Sequence, residues 1–240
     1  VINTEPKDMY LSRVATLKAG ISKDTPAMNV NRLCGSGAQA IVSIFQSLMM
    51  EDAEFGLAGG SENMSRAPHI ISDARGGRKM GDTSLADMML GALTCPFGTG
   101  HMGVTAENVA AELGISRDEQ DLFASESQRK ARNAIEAGRF KEQIIPIEIK
   151  KRKNPISFDK DEHPKHTCLE TLSSLPAVFK ENGTVTAGNS SGINDGAAAL
   201  ILGTKAAVKK NKLTPVARIL GYAQTGVRPE VMGIGPISAV

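Results

Sequence analysis

Apolar residues along this chain fall into short blocks, and the spacing inside each block predicts its element. Between residues 6 and 19, Met9, Leu11, Val14, Ala15 and Leu17 recur at roughly helical intervals, with Thr4 and Pro6 as start signals and Gly20 as a stop. That block predicts an amphipathic helix. After Pro26, the stretch Ala27-Met28-Asn29-Val30 reads as a strand and Cys34-Gly35-Ser36-Gly37 as a tight turn. Ala40, Ile41, Ile44, Phe45, Leu48 and Met49 then form the buried face of a helix. A second strand is predicted over 55–58, stopped by Gly59-Gly60. Strand, turn, helix and strand in this order predict an α/β layered fold with parallel strands.

The texture changes over residues 64–188, where helices are predicted at 84–93, 105–113 and 116–137. Ser116 and Glu119 stand at capping-box spacing, each able to satisfy the other's backbone amide. Ile145, Ile147 and Ile149 alternate within 141–150, as in a strand with one wet face. Strands return at 197–202 and 216–220. The chain therefore reads as a mixed insertion inside an α/β core, without internal repeats or low-complexity tracts.

Composition narrows the function classes. With 28 Lys plus Arg against 26 Asp plus Glu, the net charge is +2, too even for a dedicated nucleic-acid binder. A hydrophobic share of 41% against 22% charged suffices for a packed core. Apolar runs are strand-sized, short of the ~18 residues a membrane helix needs, so no membrane span is expected. Cysteines at 34, 95 and 168 make neither an even disulfide framework nor a CxxC knuckle, which points to a reducing, cytoplasmic setting. The chain begins Val1-Ile2-Asn3 with no apolar signal core, and processing or truncation of the true start is expected.

Cys34 carries the sharpest chemistry. Asn31-Arg32-Leu33-Cys34-Gly35-Ser36-Gly37 places a thiol at a strand-to-helix turn, where free N–H groups and the helix dipole favour negative charge and could hold an oxyanion. The flanking glycines let a substrate carbonyl approach the backbone, and they favour a nucleophile over the alternative of a small buried hydrophobe. Cys95, beside Pro96, and Cys168 lack that setting. His163, His166 and Cys168 are too few, with Pro164 between the histidines, to read as a metal site, and none is assigned. Lys150-Lys151-Arg152-Lys153 has no interleaved aromatic residue and reads as a solvated loop.

The Cys34 block resembles the nucleophilic-cysteine motif of the thiolase family, and three further blocks agree in order. These are Leu57-Ala58-Gly59-Gly60-Ser61-Glu62-Asn63-Met64-Ser65, Gly100-His101-Met102-Gly103-Val104-Thr105-Ala106-Glu107-Asn108, and the stretch from Gly183-Thr184-Val185-Thr186-Ala187-Gly188 through Asn194-Asp195-Gly196-Ala197-Ala198. The tail Val231-Met232-Gly233-Ile234-Gly235-Pro236 fits as well. The resemblance implies a thiolase-like layered αβαβα fold, incomplete in this chain. Residues 1–63 would belong to the first half, 64–190 to an inserted loop domain that binds coenzyme A, 191–212 to the return into the first half, and 213–240 to the start of the second half.

The implied activity is acyl transfer: thiolytic cleavage of a 3-ketoacyl-CoA, or the reverse Claisen condensation of two acetyl-CoA, through a Cys34 thioester, expected only in the full-length protein, with the 240 residues alone expected to be inactive. Implied coenzyme A contacts are Leu93, His101, Met102, Lys165, Thr171, Phe179, Ala187 and Ser191, with Met102 and Met232 at the acyl pocket. Coenzyme A or acetyl-CoA would be a substrate, with no permanently bound cofactor and no metal. Lys165 stands where the family more often has arginine, so it would act as a point charge without a bidentate grip. Thr171 replaces a usual serine. His101 is implied to line the channel, not to serve as base. A homotetramer or homodimer is implied too. The family takes its activating histidine from Gly-His-Pro, its second acid/base cysteine from Cys-x-Gly and its water-holding asparagine from Asn-Glu-Ala-Phe. None of these occurs in the 240 residues. A non-catalytic coenzyme A-binding or assembly module is therefore the rival expectation.

Overall fold

The computed structural model describes residues 1–151 and 154–240. Two compact units emerge, one comprising Val1–Thr94, Ile193–Gly226 and Gly235–Val240, the other Cys95–Gly192 and Val227–Ile234. In the first unit a 3-10 turn, Pro6–Tyr10, leads into α1 (Leu11–Lys18), as the apolar spacing predicts. The strand expected at 27–30 does not form. Apolar spacing supplies only side-chain burial, and a strand also needs a ladder partner, which this stretch does not have among the described residues.

α2 (Ser36–Met49) follows the Cys34 turn, and β1 (Phe55–Asn63) runs straight through Gly59-Gly60 instead of stopping there. Gly59 serves close approach, since a Cβ there would sit 3.2 Å from the carbonyl oxygen of Ala198, whereas one on Gly60 would meet the Cα of Gly37 at an ordinary 3.7 Å. β2 (His69–Ile70) pairs antiparallel with β3 (Ala86–Asp87), and α3 (Met88–Ala92) follows. The helix expected at 84–93 is shortened because Asp87 caps it, accepting from the amides of Met89 at 2.8 Å and Leu90 at 3.3 Å.

β4 (Thr94–Cys95) and β5 (Gly100–His101) precede α4 (Met102–Leu113) and α5 (Arg117–Glu136). α4 begins three residues earlier than its apolar spacing suggests, since His101 Nδ1 accepts the Gly103 amide at 3.0 Å and acts as its cap. The Ser116 capping box forms as expected: Glu119 N donates to Ser116 Oγ at 3.2 Å, and Ser116 N to Glu119 Oε2 at 2.8 Å. β6 (Ile147–Ile149) pairs antiparallel with β7 (Ile156–Phe158), every residue of both strands being exposed. The strand expected over 141–150 thus shrinks to three residues without a dry face. The basic run at 150–153 falls in part on residues 152 and 153, outside the described residues.

α6 (Leu169–Ser173) completes the regular structure of this stretch. The second unit's core combines Ala110, Leu172, Val185 and Val231 with four buried polar residues, Thr105, Glu107, Asp121 and Thr186.

Back in the first unit, β8 (Asp195–Gly203) pairs with β1 from Phe55↔Gly203 to Asn63↔Asp195, and the pairing is antiparallel. This corrects the expectation of parallel strands. Local strand-helix-strand order favours a parallel neighbour, but β1 finds its partner more than 130 residues further along the chain, beyond anything local pattern can reach. α2 covers the sheet closely enough that a Cβ on Gly56 would collide with Ile44. After α7 (Lys205–Lys210), capped by Thr204, the strand expected at 216–220 is absent, and Val216 and Leu220 are exposed. The segment rests on α2 instead. The Tyr222 ring meets Phe45 edge-on at 5.9 Å, and its hydroxyl accepts from Gln46 Nε2 at 2.6 Å. A kinked 3-10 segment, Pro229–Ile234, and α8 (Gly235–Ala239) end the chain.

Candidate active site

Cys34 lies one residue before the N-cap of α2, on a turn whose backbone is unusual for its sequence. Leu33 has φ of 47°, in the left-handed region that side chains other than glycine rarely adopt. Local hydrogen bonds hold it there. Leu33 N donates to Asn31 Oδ1 at 3.0 Å, Ser36 Oγ donates to the Leu33 carbonyl at 2.7 Å, and Arg32 N donates to Ser36 Oγ at 2.8 Å. The turn leaves Cys34 exposed beside an open cleft of about 390 Å³, lined by Leu33, Gly37, Gly60, Ser61 and Ala197 among others.

The other cysteines differ from the sequence expectation in one respect. Cys95 is buried at 6% exposure, and hydrogen bonds from the Thr99 hydroxyl and the Phe97 amide hold its thiol below the ordinary cysteine range. Hydrogen bonds that favour a thiolate are thus found at Cys95, where the sequence offered no reason to expect them, although Cys95 is shielded from solvent. Cys168 is exposed, with its Sγ 3.2 Å from the hydroxyl of Thr171.

The residues read as coenzyme A contacts fall on several elements. His101 and Phe179 come together with their rings stacked, centroids 4.7 Å apart and planes 12° from parallel. Gly103 completes the arrangement, since a Cβ there would drive into the Phe179 ring. Met102 opens α4 and is half-buried. Ala187 and Ser191 are exposed on one short segment. Thr171 is exposed on α6, and Lys165 is exposed on the preceding loop, where its amide donates to Gln128 Oε1 at 2.8 Å. Beside it, His166 Nδ1 lies 2.6 Å from Arg132 Nη1. Met232 is 42% exposed, on the 3-10 segment that packs against α4 through Val109 and Gly233. Leu93 is half-buried at the end of α3, in the first unit.

Two buried carboxylates escaped the sequence reading. Glu107, 4% exposed, accepts from Thr184 N at 2.8 Å, Val185 N at 2.7 Å and the Thr184 hydroxyl at 3.0 Å. Asp121, 2% exposed, accepts from Asn189 Nδ2 at 3.0 Å and from Arg117 Nε at 2.7 Å. Their partners lie 68 to 78 residues away in sequence, apart from Arg117. The available signal was that Glu107 and Asn189 stand inside two of the quoted blocks.

Residues 1–206 match the family described as Thiolase, N-terminal domain. The chain is 53% identical over 241 residues to beta-ketothiolase BktB of Cupriavidus necator, covering 100% of this chain and 61% of that protein. It is 47% identical over 231 residues to the acetyl-CoA acetyltransferase of Chromobacterium violaceum, covering 95% and 59%. Among solved structures, human mitochondrial 3-ketoacyl-CoA thiolase matches with a TM-score of 0.95 at 45% identity, over 100% of this chain and 61% of that one. The same human enzyme in complex with CoA matches with a TM-score of 0.92 at 44% identity, over 100% and 60%. The chain thus spans about three fifths of the length of these relatives, and its mixed helix-and-sheet architecture is incomplete relative to theirs.

Proposed function

Because the chain belongs to the thiolase family, we propose that it supplies the nucleophile and part of the coenzyme A site of an acyltransferase that cleaves or forms 3-ketoacyl-CoA. The observation that carries this reading is Cys34, exposed on a hydrogen-bonded turn at the N-terminus of a 14-residue helix and facing an open cleft. In the cleavage direction the Cys34 thiolate attacks the keto carbon and forms an S–C bond. The Cα–Cβ bond of the substrate breaks, and its electron pair leaves with acetyl-CoA as a carbanion that takes up a proton. The thiolate of a second coenzyme A then attacks the Cys34 thioester, releasing the shortened acyl-CoA and regenerating the Cys34 thiolate. Condensation is the reverse.

In this reading, backbone N–H groups of the Cys34 turn offset charge on the carbonyl oxygen as the thioester forms, beyond those of Gly35 and Ser36, which donate to the carbonyls of Arg32 and Leu33 at 3.0 Å. The proton transfers belong, by family resemblance, to motifs absent from these 240 residues. Support for coenzyme A at the second unit comes from the human relative solved in complex with CoA, and from the stacked His101–Phe179 pair and the exposed Thr171, Ala187 and Ser191. The acyl end is assigned to Met102 and Met232, and assembly to a dimer or tetramer. Among the described residues no helix is long and apolar enough to cross a membrane.

Acetyl exchange between acetyl-CoA and isotopically labelled coenzyme A tests the covalent route, because exchange needs only the thioester half-reaction. The full-length protein should exchange and its Cys34→Ala variant should not; exchange unaffected by Cys34→Ala would overturn the reading.

A further inference from the structure

Ala187 and Ser191 are exposed, yet the segment between them is anchored from beneath by a buried polar network. Asn189 is its hub. Its Oδ1 accepts the Thr186 amide at 2.7 Å, while its Nδ2 donates to Asp121 Oδ1 at 3.0 Å and to the Thr184 carbonyl at 3.1 Å. One acceptor and both donors of a single side-chain amide are thereby engaged. The hydroxyl of Thr186, a residue with no exposed surface, accepts in turn from the amides of Gly188 at 3.1 Å and Asn189 at 3.2 Å.

From Asp121 the network continues to α6. Arg117 donates Nε to Asp121 Oδ2 at 2.7 Å and Nη2 to the carbonyls of Leu172 at 2.7 Å and Leu175 at 2.9 Å. Those carbonyls lie at the end of the helix that carries Thr171. Packing reinforces the link, since a Cβ on Gly188 would collide with both Leu172 and Leu175. On the other side, Glu107 of α4, the helix that starts at Met102, holds the amides of Thr184 and Val185. Hydrogen bonds to buried carboxylates are directional and costly to leave unmade, so the network favours one arrangement of these elements over sliding alternatives.

We propose that Asn189 is a positioning residue for coenzyme A, which through Asp121 and Arg117 holds the segment bearing Ala187 and Ser191 in register with the helix bearing Thr171. The proposal rests on the reading of those three residues as coenzyme A contacts. Asn189 itself touches no ligand; it acts by fixing the backbone that does. Aspartate at 189 has the same shape but no donor, and it would place a second carboxylate against Asp121 and against the Thr184 carbonyl.

The test measures coenzyme A binding by calorimetry, together with hydrogen exchange of the peptide containing residues 184–191, in the 240-residue chain. Asn189→Asp should weaken coenzyme A roughly tenfold or more and speed exchange in that peptide while α5 retains its protection. A second pair guards against a variant that fails to fold. Thr186→Val should reproduce both effects, and Thr186→Ser, which keeps the hydroxyl, should restore them. Native affinity in Asn189→Asp or Thr186→Val, with or without faster exchange, overturns the positioning role alone. Failure of the native chain to bind coenzyme A at all would overturn the reading of the site, and the positioning role with it.

Discussion

The imidazole of His101 lies flat on the ring of Phe179, centroids 4.7 Å apart, while its Nδ1 accepts the amide of Gly103 at 3.0 Å. One side chain thus caps α4 and stacks on a residue 78 positions further along. Gly103 lies under the same ring with no room for a methyl group. Gly103→Ala should therefore push Phe179 off His101 and cost about 1–3 kcal/mol of stability by overpacking. Chemical denaturation compares the two proteins, and an unchanged midpoint would show that Phe179 relocates freely.

Cysteine accessibility gives a second prediction. Cys34 is exposed on its turn, and Cys95 is buried despite hydrogen bonds that favour its thiolate. Reaction needs both thiolate and access, so limiting iodoacetamide at neutral pH should label Cys34 first and Cys95 last in the native chain. In denaturant the protection of Cys95 should vanish. Peptide mapping that found Cys95 or Cys168 labelled before Cys34 would count against a reactive elbow.

Asp195 supplies a pH prediction. At the start of β8 its carboxylate accepts the Ser65 hydroxyl at 2.5 Å and the Ser65 amide at 3.0 Å, and these bonds hold its pKa below the ordinary value of 3.8. A depressed native value stabilises the fold fully above the unfolded pKa, and this contribution is lost as pH falls through the native value. Asp195→Asn should accordingly lower stability at neutral pH and flatten the acid limb of the stability curve below about pH 4. Melting curves across that range check the sign, and a steeper acid limb in the variant would refute it.

Lys165 separates two ends of the ligand. As an exposed point charge it should serve the phosphates of coenzyme A and contribute little to the pantetheine arm. Lys165→Ala is expected to weaken coenzyme A more than a pantetheine analogue lacking the nucleotide. Equal losses would place the lysine away from the phosphates.

What the sequence revealed and what it hid divide along one physical line. The capping box of Ser116 and Glu119 is a contact across three residues, and it forms as the spacing indicates. Helix α2 likewise follows from the spacing of Ile41, Ile44, Phe45 and Leu48. Strands depend on distant partners, so 27–30 and 216–220 carried suitable side chains but made no ladder among the described residues, and β1 acquired an antiparallel neighbour. Gly59 and Gly60 read locally as a stop, whereas β1 continues through both and Gly59 lets it approach β8 closely. Cys34 was legible because its turn, glycines and helix are contiguous. Asn189, Asp121 and Glu107 were not, because only folding brings a buried carboxylate to amides some 70 residues away.

Covalent acyl transfer to Cys34 is the step on which the proposed chemistry depends. Incubating the native chain with acetyl-CoA and mapping the acetyl group by peptide mass spectrometry measures it directly. The predicted result is an acetyl group on Cys34 that hydroxylamine removes, as for a thioester, and that is missing from Cys34→Ala. Acetylation found only at other residues, at the same level in native chain and Cys34→Ala, would contradict the account.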